Sequence, residues 1–152
     1  MEWDRLPGIT RIARNVRALA DAPLEIAAFR AACAAFGWQP EESDFPGQDD
    51  TYLAFLLPAN DRYLHVTFTD GGAVKLAVLP LLYWEDWDPE FCDSEAQYRR
   101  GRAAFDRKYE RALQQAEKVL GPPLRAWVEE DEEDRFRKAV WQGKTCLLAL
   151  QQ

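Results

Sequence analysis

Within the first 80 residues the spacing of apolar side chains switches from three-to-four to two, and this switch limits the chain to a fold that joins helices to sheet. Ile9, Ile12, Val16 and Leu19 form one helical stripe, which should end near Asp21. Residues 23–36 form a second helix, with Asp21 available as its cap, Pro23 in the first turn and Gly37 as the left-handed residue that stops it. The turn formers and acids of PEESDFPGQDD, residues 40–50, read as a loop. From Thr51 onward TYLAFLLP, RYLHVTFT and AVKLAVLPLLYW are separated by PAND and DGG, the pattern of a three-stranded antiparallel meander. In its middle strand Leu64, Val66 and Phe68 alternate with Tyr63, His65, Thr67 and Thr69. One face is core and the other is half polar.

A long amphipathic helix follows. Ser94 and Gln97 have the spacing of a capping box, Tyr98, Phe105, Ala112 and Val119 repeat every seven residues, and Gly121 with Pro122 and Pro123 ends the helix. Two or three further strands are expected, around residues 124–129, 136–142 and 145–150, the last two joined by a tight turn at Gln142, Gly143 and Lys144. A chain of 152 residues suits one domain, so residues 1–152 are expected to form a single α+β domain. Its antiparallel sheet should carry helices packed mainly on one face. Leu64, Val66, Phe68, Val74, Leu76 and Val78 are expected to share a core with Phe105, Tyr109 and Ala112.

Composition narrows the function classes. Hydrophobic residues make up 47% of the chain, enough for a core, which argues against a disordered protein. The start, MEWDRLPGIT, lacks the basic and apolar segments of a signal peptide, no apolar run reaches bilayer length, and the three cysteines show no metal-ligand spacing. A cytoplasmic, soluble protein is expected, with no membrane association. A net charge of −7 disfavours nucleic acid and favours a basic partner. The many alanines and arginines suggest a bacterial source.

Chemistry is sparse. His65 is the only histidine, which removes most zinc sites and histidine pairs, and its mid-strand place beside Tyr63 and Thr67 reads as a hydrogen-bonding role. Acidic neighbours should raise the pKa of Cys92 and dull it as a nucleophile. Gly143, Lys144 and Thr145 resemble the end of a phosphate-binding loop, but Lys138 stands where the preceding glycine is required and a strand turn replaces the helix, so the fragment reads as a hairpin. Three acidic clusters remain: Glu41, Glu42, Asp44, Asp49 and Asp50; Glu85, Asp86, Asp88 and Glu90; and residues 129–134. Catalysis or a divalent metal would need carboxylates that converge from separate elements. No catalytic residue, metal ligand or cofactor is therefore assigned.

The second cluster differs because Tyr83, Trp84, Trp87 and Phe91 interrupt it. Aromatic anchors among steering carboxylates suit a protein interface, so Tyr83, Trp84, Asp86, Trp87, Asp88 and Phe91 form the candidate binding site. The same rings could instead close the core beneath a loop. In addition, YERALQQAEKVLGPPL followed by a charged strand pair ending KAVWQGKTCLLALQQ resembles small bacterial α+β proteins, among them immunity proteins that neutralise toxins of competing cells. The resemblance spans roughly residues 105–152 and rests on the helix ending in Leu-Gly-Pro, a strand tryptophan and an apolar final strand. It implies a partner that binds and blocks a toxin, and assigns no functional residue. The reading ranks a protein-binding module, an immunity-like inhibitor of a basic protein, ahead of two alternatives. These are a small carboxylate-dependent hydrolase and a homodimer subunit.

Overall fold

A computed structural model describes residues 7–41, 51–59, 61–82, 90, 92–130 and 135–152. Among the described residues three helices and seven strands follow one another as α1 (Ile9–Asp21), α2 (Ile26–Ala35), β1 (Gln39–Glu41), β2 (Tyr52–Leu57), β3 (Arg62–Phe68), β4 (Val74–Val78), α3 (Glu95–Leu120), β5 (Arg125–Glu130), β6 (Arg135–Gln142) and β7 (Leu147–Gln151). The class is α+β, as the periodicities predict. The strands, however, form two antiparallel sheets, of order β1-β2-β3-β4 and β5-β6-β7, and not the expected one. Each sheet is built from strands close in sequence, whose pairing costs little loop entropy.

The chain divides into two compact units. Residues 1–14, 82–141 and 148–152 form the first, and residues 15–81 and 142–147 the second. In the first, α3 and the three-stranded sheet enclose Tyr109, Ala112, Ala116, Ala139, Trp141 and Leu148, all buried, with Ile9 and Ile12 of α1. Ser94 caps α3 by accepting from the Gln97 amide at 3.2 Å, and Gln97 in turn accepts from the Asp93 amide at 3.1 Å. Gly121 closes the helix at φ +77, and its carbonyl accepts from Trp141 Nε1 at 2.9 Å. Three more contacts tie α3 to the sheet: Glu110 to Arg137, Tyr109 Oη to the Leu150 carbonyl at 3.5 Å, and Asp106 to Gln152 at 2.6 Å.

In the second unit, α2 turns Phe29 and Cys33 inward, four residues apart on one helical face. Phe55, Leu57, Leu64, Val66 and Trp38 complete that core. The α2 N-terminus is not capped by Asp21. Its N-cap is Glu25, which makes no side-chain cap bond, and the Ile26 amide instead donates to the Gly72 carbonyl at 2.8 Å in the β3–β4 turn. Asp21 is engaged elsewhere: its Oδ1 accepts from the Lys144 amide at 2.9 Å and its Oδ2 from Arg17 at 3.3 Å. The segment read as a loop from residue 40 opens with β1, which pairs with β2 through Gln39 and Leu56, Pro40 and Phe55, and Glu41 and Ala54.

The expected core membership fails in β4. Leu64 and Val66 are buried and Phe68 and Val74 half-buried, whereas Leu76 and Val78 are 58% and 46% exposed. The cause is a bulge. Phe68 pairs with Val74 but the adjacent Thr67 pairs with Leu76, so Lys75 is an extra residue on β4. One inserted residue transfers all later side chains to the opposite face. Leu64 and Val66 moreover belong to the second unit, whereas Phe105, Tyr109 and Ala112 belong to the first.

Candidate functional site

Cross-strand partners share a face of a sheet, so the register assigns each side chain in the second unit. Leu53, Phe55, Leu57, Leu64 and Val66 point to the core. The opposite face carries Glu41, Ala54, His65 and Val78 in one row, flanked by Leu56 with Tyr63 and by Tyr52 with Thr67 and Leu76. It is a face of aromatic and aliphatic groups with one histidine, and the β4 bulge gives it two apolar side chains that the sequence pattern assigned to the interior.

A hydrogen-bonded cluster occupies its centre. The Tyr52 hydroxyl and Nδ1 of His65 are hydrogen-bond partners. The rings of Tyr52 and Tyr63 lie 5.9 Å and 6.4 Å from that of His65. Ala54, between Glu41 and His65 in the row, is only 4% exposed although it points away from the core. Its small side chain leaves room for the larger neighbours to close over it. His65 thus has the structural hydrogen-bonding role expected of it, with the cross-strand Tyr52 as its partner.

Burial and charge act in the same direction on the two phenols of this face. Burial and then Glu41 raise the phenol pKa of Tyr52, and burial, Glu41 and Asp61 do the same for Tyr63. Both phenols therefore remain protonated and able to donate. Two acids, Glu41 and Asp61, lie near this largely aromatic patch.

The first unit has a different feature, a half-open groove of about 610 Å³ between α3 and β5. Val128 shares a face with Arg137, whose guanidinium meets Glu110 on α3, so this side of the sheet looks at the helix. Tyr98, Tyr109 and Leu113 form the opposing wall. Two pairs of opposite charge lie here, Arg102 with Asp106 at 3.4 Å and Arg137 with Glu110. Trp127, on the other face, is covered by Arg125 at 4.7 Å and Lys138 at 5.7 Å.

The residues assigned from sequence, Tyr83, Trp84, Asp86, Trp87, Asp88 and Phe91, lie outside the described residues. Of the three acidic clusters, Glu41, Glu90, Glu129 and Glu130 are described. Among the described residues no group of three His, Cys, Asp or Glu side chains could hold a metal ion. Cys33 is fully buried, and that burial pushes its thiol up to about 12, far from a reactive thiolate. No described helix is long and apolar enough to cross a membrane. Sequence reasoning missed the Tyr52–His65 face as a site, although the alternation of Tyr63 and His65 with Leu64 and Val66 already separated its residues from the core. No family model, curated protein or solved structure matches the chain.

Proposed function

We propose that the protein is a protein-binding module whose partner docks on the outer face of the β1–β4 sheet. The observation that carries this reading is the exposure of Leu76 and Val78, 58% and 46%, on the bulged strand β4 next to Tyr52, Tyr63 and His65. Large aliphatic groups beside protonated phenols supply the apolar area and the oriented hydrogen bonds of an interface centre. Glu41 and Asp61 at its border, in a chain of net charge −7, favour a basic partner. In its specific form the partner is a basic toxin that the module blocks in the cytoplasm, and this form rests on the resemblance of residues 105–152 to immunity proteins.

The test compares the wild type with a Leu76→Ser, Val78→Ser variant. Each is immobilised to capture proteins from extracts of the source cell, and the Kd of the purified captured protein is then measured by calorimetry. A basic protein is expected, bound at least about tenfold more weakly by the variant, with circular dichroism unchanged. Equal affinity for both forms, or an acidic partner, overturns the reading.

A further inference from the structure

The strand order leaves β5 at the edge of the three-stranded sheet among the described residues, and five of its six side chains are exposed. An edge strand offers a row of outward backbone N–H and C=O groups to another strand. Natural edges are commonly blocked by a proline, a bulge or an inward-pointing charge. Between Arg125 and Glu130 the register to β6 runs without a shift, and no proline interrupts it. What could complete this edge is written in its own sequence, Arg-Ala-Trp-Val-Glu-Glu.

Placed antiparallel to a second copy about a twofold axis through Trp127, the strand is complementary to itself. Arg125 stands opposite Glu129 of the other copy, Ala126 opposite Val128, and Trp127 opposite Trp127. Faces agree as well as charges. Arg125, Trp127 and Glu129 share the face that carries Lys138, so both ion pairs flank the paired indoles there. Ala126 and Val128 share the α3 face, where Val128 is 45% exposed on the floor of the groove. Apolar contact with the second copy would cover that floor. Like charges do not meet in this register, in which Glu130 stands opposite Leu124. Pro122 and Pro123 also limit the ladder to β5 itself.

We propose that the protein forms a twofold symmetric homodimer by antiparallel pairing of β5 with β5 of a second copy, joining two three-stranded sheets into one of six strands. The surface is distinct from the face that carries Leu76 and Val78, so either proposal can fail without the other. A C2 pairing of this kind is isologous, and each contact off the axis occurs twice.

Charge exchange tests the register. Arg125→Glu places Glu opposite Glu129 at both symmetric positions, and Glu129→Arg places Arg opposite Arg125. Each single variant should weaken the dimer about tenfold or more in sedimentation equilibrium, since two attractive cross-strand pairs become repulsive. The double variant should restore the wild-type Kd. An equimolar mixture of the two single variants should form a heterodimer, because all the cross-axis pairs are then opposite in charge. Thermal unfolding of each variant verifies that the fold is retained. A wild type that remains monomeric up to about 1 mM overturns the proposal, as does a dimer that neither single variant weakens or that the double variant fails to restore.

Discussion

Replacing Gly143 by Ala tests how the β6–β7 connection is seated on the end of α1. A Cβ at residue 143 would lie 2.6 Å from the Ala20 carbonyl oxygen, 2.7 Å from Ala20 Cβ and 2.7 Å from the Cys146 carbonyl oxygen. Two of these three atoms are backbone, so no rotamer change relieves the contact, and each must retreat to about 3.0 Å or beyond. Both carbonyls are already in use: Ala20 accepts from the Thr145 amide at 3.0 Å and its hydroxyl at 2.8 Å, and Cys146 accepts from the Gly143 amide at 2.8 Å. Overpacking of this kind costs ~1–3 kcal/mol, and each hydrogen bond stretched beyond use adds ~1 kcal/mol. With one or two such bonds lost, Gly143→Ala should destabilise the protein by ~2–5 kcal/mol. Urea unfolding followed by tryptophan fluorescence measures this, with Gly8→Ala as the control, because a Cβ at Gly8 meets nothing within 4 Å. A loss for Gly143→Ala below ~0.5 kcal/mol would refute the reasoning, since the connection would then sit elsewhere than against Ala20.

Two other outcomes follow from burial and from charge. Phe55, 1% exposed, should cost ~3–5 kcal/mol when cut to Ala, whereas Leu76→Ala on the bulged strand should cost under ~0.5 kcal/mol; similar losses at both positions would contradict the register shift at Lys75. The Lys144 amide, aided by Arg17, holds the Asp21 carboxyl below its ordinary value of 3.8 against a smaller opposing effect of burial. Because the folded pKa is the lower one, this contribution to stability is present above about pH 4 and is lost as pH falls through the folded value. Asp21→Asn should therefore flatten the acid side of a stability-against-pH curve measured by urea unfolding, and identical slopes would remove Asp21 from that role.

How much was legible in the sequence follows from the range of each interaction. The α3 boundaries were readable because Ser94, Gln97 and Gly121 act on backbone within one helical turn of themselves. The last two strands were readable because Gly143 and Lys144 mark a tight turn between them. Asp21 was misread as the α2 cap because its partner, Lys144, is 123 residues away, and sequence neighbours give no sign of it. The candidate site shifted for a similar reason. Tyr63 and His65 were visible as a polar face, but Tyr52 and Glu41 join them only through pairing in β1 and β2, and β1 is too short to show a period.

The sequence by itself determined the class, the ends of α3 and which face of β3 is core, because local propensity and alternation require no knowledge of distant partners. Tertiary structure alone decided the division into two sheets, the docking of Gly143 on Ala20 and the outward turn of Leu76 and Val78. The last depends on one extra residue, Lys75, against Thr67 and Phe68. A bulge is a property of two strands and their register, so a single strand's pattern cannot contain it, yet it selects the face on which every later side chain appears.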